Sequence, residues 1–199
     1  MKKLRRKLAG MLAKKLPYDA RVEFLESTGT QYIDTMVYGR YDTPVTLDTE
    51  IVNILATRGI FGSFSSVGTN RSLFLYTTSS SMLQVGAGGN LSTDDYLTAD
   101  TNRHLWKWEG SKVFKDGNLI QDFGVSYTHT LKTLSVFTTK RFDGTIYPIS
   151  SCRVYGVTIF NVMELIPVRV GTVGYMYDTV SGSLFGNEGT GDFIVGPDI

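Results

Sequence analysis

From Tyr18 onward, short runs rich in β-branched and aromatic residues are broken by Gly, Asn, Asp and Ser clusters at intervals of about 8–12 residues. This rhythm admits strands and tight turns. Most runs are too short for a stable helix, and none follows a 3.6-residue period. The runs predict strands at 22–25, 31–35, 46–55, 59–64, 72–78, 82–86, 103–109, 112–115, 118–123, 133–139, 151–161, 165–170, 173–178, 183–185 and 192–195. So many short strands in a chain of 199 residues fit one all-β sandwich with one core. The 21 glycines and the 11 each of Tyr and Phe agree with that class.

Particular turns can be read as well. Asp116-Gly117 separates KVF from LIQDF, and Asp-Gly is the strongest short hairpin signal. Ser181-Gly182 separates GYMYDTV from SLFGN in the same way. The run CRVYGVTIFNV (152–162) is apolar at both alternating sets of positions, which predicts a central strand covered on both faces. The cluster VGAGGN (85–90) has no Lys-Ser/Thr after it and no helix, so it is read as a turn, not a phosphate loop.

The first 17 residues obey a different pattern. Leu4, Leu8, Met11, Leu12 and Leu16 follow steps of four, three, one and four, which places them on one helical face. Pro17 ends the predicted helix at 3–16. Residues 1–16 carry Lys2, Lys3, Arg5, Arg6, Lys7, Lys14 and Lys15 and no acid, so the rest of the chain holds 13 basic against 19 acidic residues, a net of −6. The chain therefore divides into a basic amphipathic segment, 1–17, and a mildly acidic body, 18–199. Lys14-Lys15 and the lack of a small-residue cleavage site argue against a secretory signal. A membrane-surface helix and nucleic-acid contact are alternatives, but the apolar stripe points first to packing on its own domain, on copies of itself or on another protein. No nucleic-acid partner is expected. No run of 18 apolar residues occurs, so no transmembrane segment is predicted.

Chemistry is sparse. Cys152 is the single cysteine, which excludes an internal disulfide, and it lies in an apolar strand as an inert thiol. His104 and His129 are the only imidazoles, and neither sits in a nucleophile motif. Asp48 and Glu50 in TLDTEIV occupy one strand face, yet they are read as a solvated outer face, not as a glycosidase acid pair. Strand alternation sends His104, Trp106 and Trp108 to one face. Two readings stay open there: the inner wall of a sandwich, or a glycan platform of paired indoles.

Two signatures at the ends of the body carry a family likeness. FLESTGTQYIDT (24–35) opens it and PVRVGTVGYMYDTVSGSLFGNEGTGDFIVGPDI (167–199) closes it, with RHLWKWEGSKVFKDGNLI (103–120) and SCRVYGVTIFN (151–161) between. The chain resembles the laminin-G-like branch of the concanavalin A-like jelly rolls, domains that recur in bacteriophage virion proteins and in surface proteins of gut bacteria. The likeness implies an antiparallel two-sheet jelly roll whose first and last strands share one seam, with Gly29 and Gly182 at turns and Tyr32, Tyr175 and Tyr177 as half-buried fold determinants. It leaves room for calcium at NLSTDD (90–95), through Asp94, Asp95 and Asp100, although no cofactor is expected. The function it implies is a non-catalytic structural virion protein: a fibre, decoration or receptor-binding head on the particle surface, held to other virion proteins by the 1–17 segment. That head is expected to be a homo-oligomer, with a trimer as the arrangement in view and a host surface glycan as a further partner. The alternative is a carbohydrate-binding module at a bacterial cell surface.

Overall fold

A computed structural model describes residues 16–55, 57–65, 71–79, 82–90 and 97–199. The predicted helix at 3–16, with Leu4, Leu8, Met11 and Leu12 and the basic residues Lys2 to Lys7, lies outside the described residues apart from Leu16, which is half exposed. Among the described residues, every regular element is a strand, and no helix is long and apolar enough to cross a membrane.

The strands form two sheets, antiparallel apart from one short parallel pairing. The larger runs in the order Asn118–Asp122, Lys112–Lys115, Arg103–Glu109, Val45–Asn53, Ser151–Ile159, Met163–Val170, Val173–Asp178 and Leu184–Phe185. At its seam, Leu25–Thr28 pairs with both Ser151–Ile159 and Ile194–Val195. The smaller sheet runs Ile33–Arg40, His129–Val136, Arg58–Phe64, Ser72–Ser79, Met82–Asn90 and Leu97–Thr98. The parallel pairing joins Lys140–Arg141 to Arg58–Phe64, because Phe137 at φ 71° turns the chain back beside the strand it has just followed.

Alternation along the strands builds the core. Val45, Leu47, Thr49 and Ile51 point inward while Thr46, Asp48 and Glu50 stay half-buried on the outer face. Inner faces of the two sheets meet where Phe61 packs on Trp108 at 5.5 Å between ring centroids. The Trp108 indole N–H crosses the interior and donates to the Gly86 carbonyl at 3.1 Å, so the ring is both buried and satisfied.

Two local expectations are corrected. Residues 85–90 are no turn; they continue the strand Met82–Asn90, and Val85 to Gly88 pair in register with Leu75 to Ser72. Small side chains suit that place, since Gly86 sits opposite the fully buried Phe74. The strand Ser151–Ile159 is central as expected, but only one of its faces is buried in the core. On its other face Tyr155 lies under the Arg103 guanidinium, 3.6 Å from the ring centroid, and beside Phe24 at 5.6 Å. Aromatic character on an outer face mimics a second core face when only sequence is read.

Candidate binding site

The two end signatures meet. The Thr30 carbonyl accepts from the Thr190 N–H at 3.0 Å, and Glu188 N–H donates to the Tyr32 carbonyl at 2.8 Å. The Asn187 side-chain oxygen accepts from Tyr32 N–H at 3.0 Å and from Gly189 N–H at 2.8 Å, and its amide donates to the Gly191 carbonyl at 2.7 Å. Gly189 lies so near residue 30 that a Cβ there would fall 2.0 Å from the Thr30 carbonyl oxygen. Only glycine permits that approach.

Beside this seam the chain returns over the end of the smaller sheet. Gly59 N–H donates to the Pro148 carbonyl at 2.8 Å, and Ser150 N–H donates to the Gly59 carbonyl at 3.0 Å. Tyr147 is pinned by its own N–H to the Thr139 carbonyl at 3.0 Å and by the Thr138 hydroxyl to its carbonyl at 2.8 Å. A shallow cavity of about 390 Å³ opens between seam and return loop, walled by Tyr32, Tyr147 and Pro148, with Arg58, Thr30 and Thr190 among its polar residues. Its size lies in the range of small-ligand sites, and aromatic walls with a few polar groups are their usual lining.

Tyr147 links the cavity to an aromatic cluster on the outer face of the smaller sheet. It stacks on Tyr76 at 5.7 Å and 17°, and Phe64 meets it edge-on at 5.8 Å. Phe74 is buried beneath, 5.2 Å from Phe64 and 5.3 Å from Tyr76. The Arg141 guanidinium stands 5.5 Å from the Tyr147 centroid. Such contacts fix the rings before any ligand arrives.

The sites expected from sequence fall elsewhere. Trp106 and Trp108 are each 1% exposed, so the indoles wall the core and offer no platform to a glycan. His104 stands at the rim of the same strand face, its Nδ1 2.7 Å from Asp116 and its Nε2 2.8 Å from Asp100. Asp48 and Glu50 do lie on an outer face, as read. Asp48 is held bidentately by Arg103 at 2.8 and 2.7 Å. Glu50 takes Arg153 at 3.2 Å and the Tyr155 hydroxyl at 2.6 Å. Burial and then that hydrogen bond push the Tyr155 phenol up to about 12. Cys152 is fully buried, and burial pushes its thiol up to about 12, far from a nucleophile's range.

Of the calcium candidates, Asp94 and Asp95 lie outside the described residues. Asp100 has its oxygens engaged by His104, by Lys115 at 3.2 Å and by Asn102 N–H at 2.7 Å. Among the described residues no group of three or more His, Cys, Asp or Glu is placed to hold a metal ion.

Sequence reading missed Arg58, Tyr76, Arg141 and Tyr147. Each sits in a strand or loop without a motif, and only the return of 137–150 over the sheet brings them together. The chain matches no known family model, no curated protein and no solved structure.

Proposed function

We propose that the chain is a non-catalytic binding head: a laminin-G-like, concanavalin A-like jelly roll that takes a glycan in the Tyr32–Tyr147 cavity. The observation that carries this reading is the convergence of two phenol rings, threonine hydroxyls and an arginine on one preformed cavity beside a fixed aromatic cluster. A sugar ring offers an apolar face to an aromatic wall and hydroxyls to polar neighbours. The pairing of Leu25–Thr28 with Ile194–Val195 supports the jelly-roll assignment, in which first and last strands share a seam.

The setting follows from the sequence resemblance: the head stands on the surface of a bacteriophage particle, attached to other virion proteins through residues 1–17 and assembled with copies of itself. A bacterial cell-surface carbohydrate-binding module would use the same cavity. Mass spectrometry of purified particles and of host envelope fractions separates the two settings.

The site itself is tested with the purified chain on an immobilised glycan panel. Retention of one glycan class, lost in Tyr147→Ala while the melting temperature holds, is the expected result. A panel on which nothing is retained, or on which Tyr147→Ala binds as well as the parent, overturns the reading.

A further inference from the structure

Six of the described arginines fall into two contrasting sets. Arg40, Arg103, Arg153 and Arg169 each grip a carboxylate within 3.0 Å. Arg58 and Arg141 make no ion pair among the described residues, and the Nε of each is buried without a hydrogen-bond partner. A guanidinium is always charged, and withdrawing part of it from water without a partner is costly. Both are associated with Tyr147. Arg58 lines the cavity that Tyr147 walls, and Arg141 stands over the same tyrosine.

Their backbone positions are fixed by the sheet. Arg141 is the register partner of Phe64 in the parallel pairing. Arg58 is the register partner of Thr77, whose hydroxyl accepts the Arg58 N–H at 2.9 Å. Asp143 is the acid that faces Arg141 electrostatically, but its carboxylate is hydrogen-bonded by the Thr145 N–H and hydroxyl and forms no ion pair with the guanidinium. The site therefore has one guanidinium in the cavity lining and a second beside its Tyr147 wall, neither in an ion pair and each with its Nε withdrawn from water.

We propose that the glycan taken by this cavity is anionic, its negative group held by Arg58 and Arg141 while a sugar ring lies against Tyr147. This rests on the glycan reading above and narrows it to a chemical class. A carboxylate, sulfate or phosphate group matches the planar donor fork of arginine, and partial exclusion of water strengthens the contact. Neutral glycans would leave both charges as they are.

The test uses the full chain and a panel in which uronic-acid, sulfated and phosphorylated oligosaccharides are each paired with their neutral parents. Anionic members should be retained at least about tenfold better than the neutral ones, the scale of one charge-assisted contact. The retained class identifies the anion. Binding should weaken as salt rises. Arg58→Gln and Arg141→Gln should each lower that affinity by about 10- to 100-fold. Melting temperatures, measured alongside, show whether each variant is folded. If Arg58→Gln does not fold, Arg58→Lys carries the test. It keeps the charge but not the fork, and should lose about tenfold on anionic members alone.

Equal retention of neutral and anionic partners overturns the anionic inference and leaves the glycan reading standing. So does preference for anions that survives in both folded arginine variants. A panel that retains nothing overturns both.

Discussion

The Thr30 hydroxyl donates to the Thr190 carbonyl at 2.9 Å, joining residues 160 positions apart. Around this bond the first and last parts of the body hold each other, and the candidate cavity opens at their junction. A contact of such sequence separation closes a loop of most of the body, so the seam reports on the whole sandwich and not on one hairpin.

Asn187 is the bracket of that seam. Its side chain satisfies the N–H groups of Tyr32 and Gly189 together. Asn187→Ala leaves both donors without this acceptor and should lower stability by about 1–3 kcal/mol. Urea denaturation measures it, with an unchanged m-value indicating that the fold itself is kept. A loss below about 0.5 kcal/mol, the level of an ordinary surface change, would show that water replaces the side chain freely.

Gly189 and Gly117 provide a contrast between crowding and strain. Gly117 sits at φ +79° in a hairpin with nothing within 4 Å of an added Cβ, so Gly117→Ala should cost only about 1–2 kcal/mol of left-handed backbone strain. An added Cβ at Gly189 meets the Thr30 carbonyl at 2.0 Å. Gly189→Ala must therefore push the seam apart, and should destabilise more than Gly117→Ala and disturb the cavity. Parallel denaturation curves decide it; equal losses would mean the seam has slack.

The same hairpin shows what sequence can convey. Asp116-Gly117 announces a turn because two consecutive positive φ values are needed there, and the structure has them at 52° and 79°. The strands Arg103–Glu109 and Lys112–Lys115 begin and end where alternation and that turn place them. Local chemistry fully determines such elements. The strand Ile33–Arg40 runs past the expected end at 35, since its continuation is set by pairing with His129–Val136 across the sheet. Tyr147 and Arg58 were illegible for a related reason. Their meeting depends on Gly59 bonding to Pro148 and Ser150, a relation with no local signature.

Trp108 separates core from site. It is buried, packed on Phe61 and bonded to Gly86, so Trp108→Ala should cost about 3–5 kcal/mol. Tyr147→Ala, at a half-buried surface ring, should cost much less and remove glycan retention instead. A Trp108→Ala variant with unchanged melting temperature but lost retention would return the indoles to a binding role.

Acid should act through Asp100. Desolvation pushes its carboxyl up, but bonds from the Asn102 N–H, His104 and Lys115 outweigh it and hold the group at about 2, below its ordinary 3.8. A depressed carboxyl contributes stability that is complete above its unfolded value and disappears as pH falls toward about 2. The melting temperature should therefore fall over that window, and Asp100→Asn should flatten part of the fall. Both ring nitrogens of His104 face carboxylates, and the substitution keeps an acceptor oxygen for Nε2 while removing the charge beside it. Identical acid profiles for the two proteins would assign the loss to other carboxylates.

Attachment is the last separable property. The described pairing of the body begins at Asp19, whose N–H donates to the Arg169 carbonyl at 2.9 Å, and Tyr18 packs on Tyr177 at 5.0 Å. Leu4, Leu8, Met11, Leu12 and Leu16 precede that anchor point. If residues 1–17 serve docking, burying several of these side chains at about 1.5–3 kcal/mol each supplies the driving force, offset by the entropy of association. Leu8→Asp with Leu12→Asp should then abolish incorporation into particles or self-association and leave the melting temperature of the head nearly unchanged. Sedimentation and a thermal melt on the same sample read both quantities. Normal assembly by the double variant removes the segment as an anchor, and a fall in melting temperature places its leucines against the body instead.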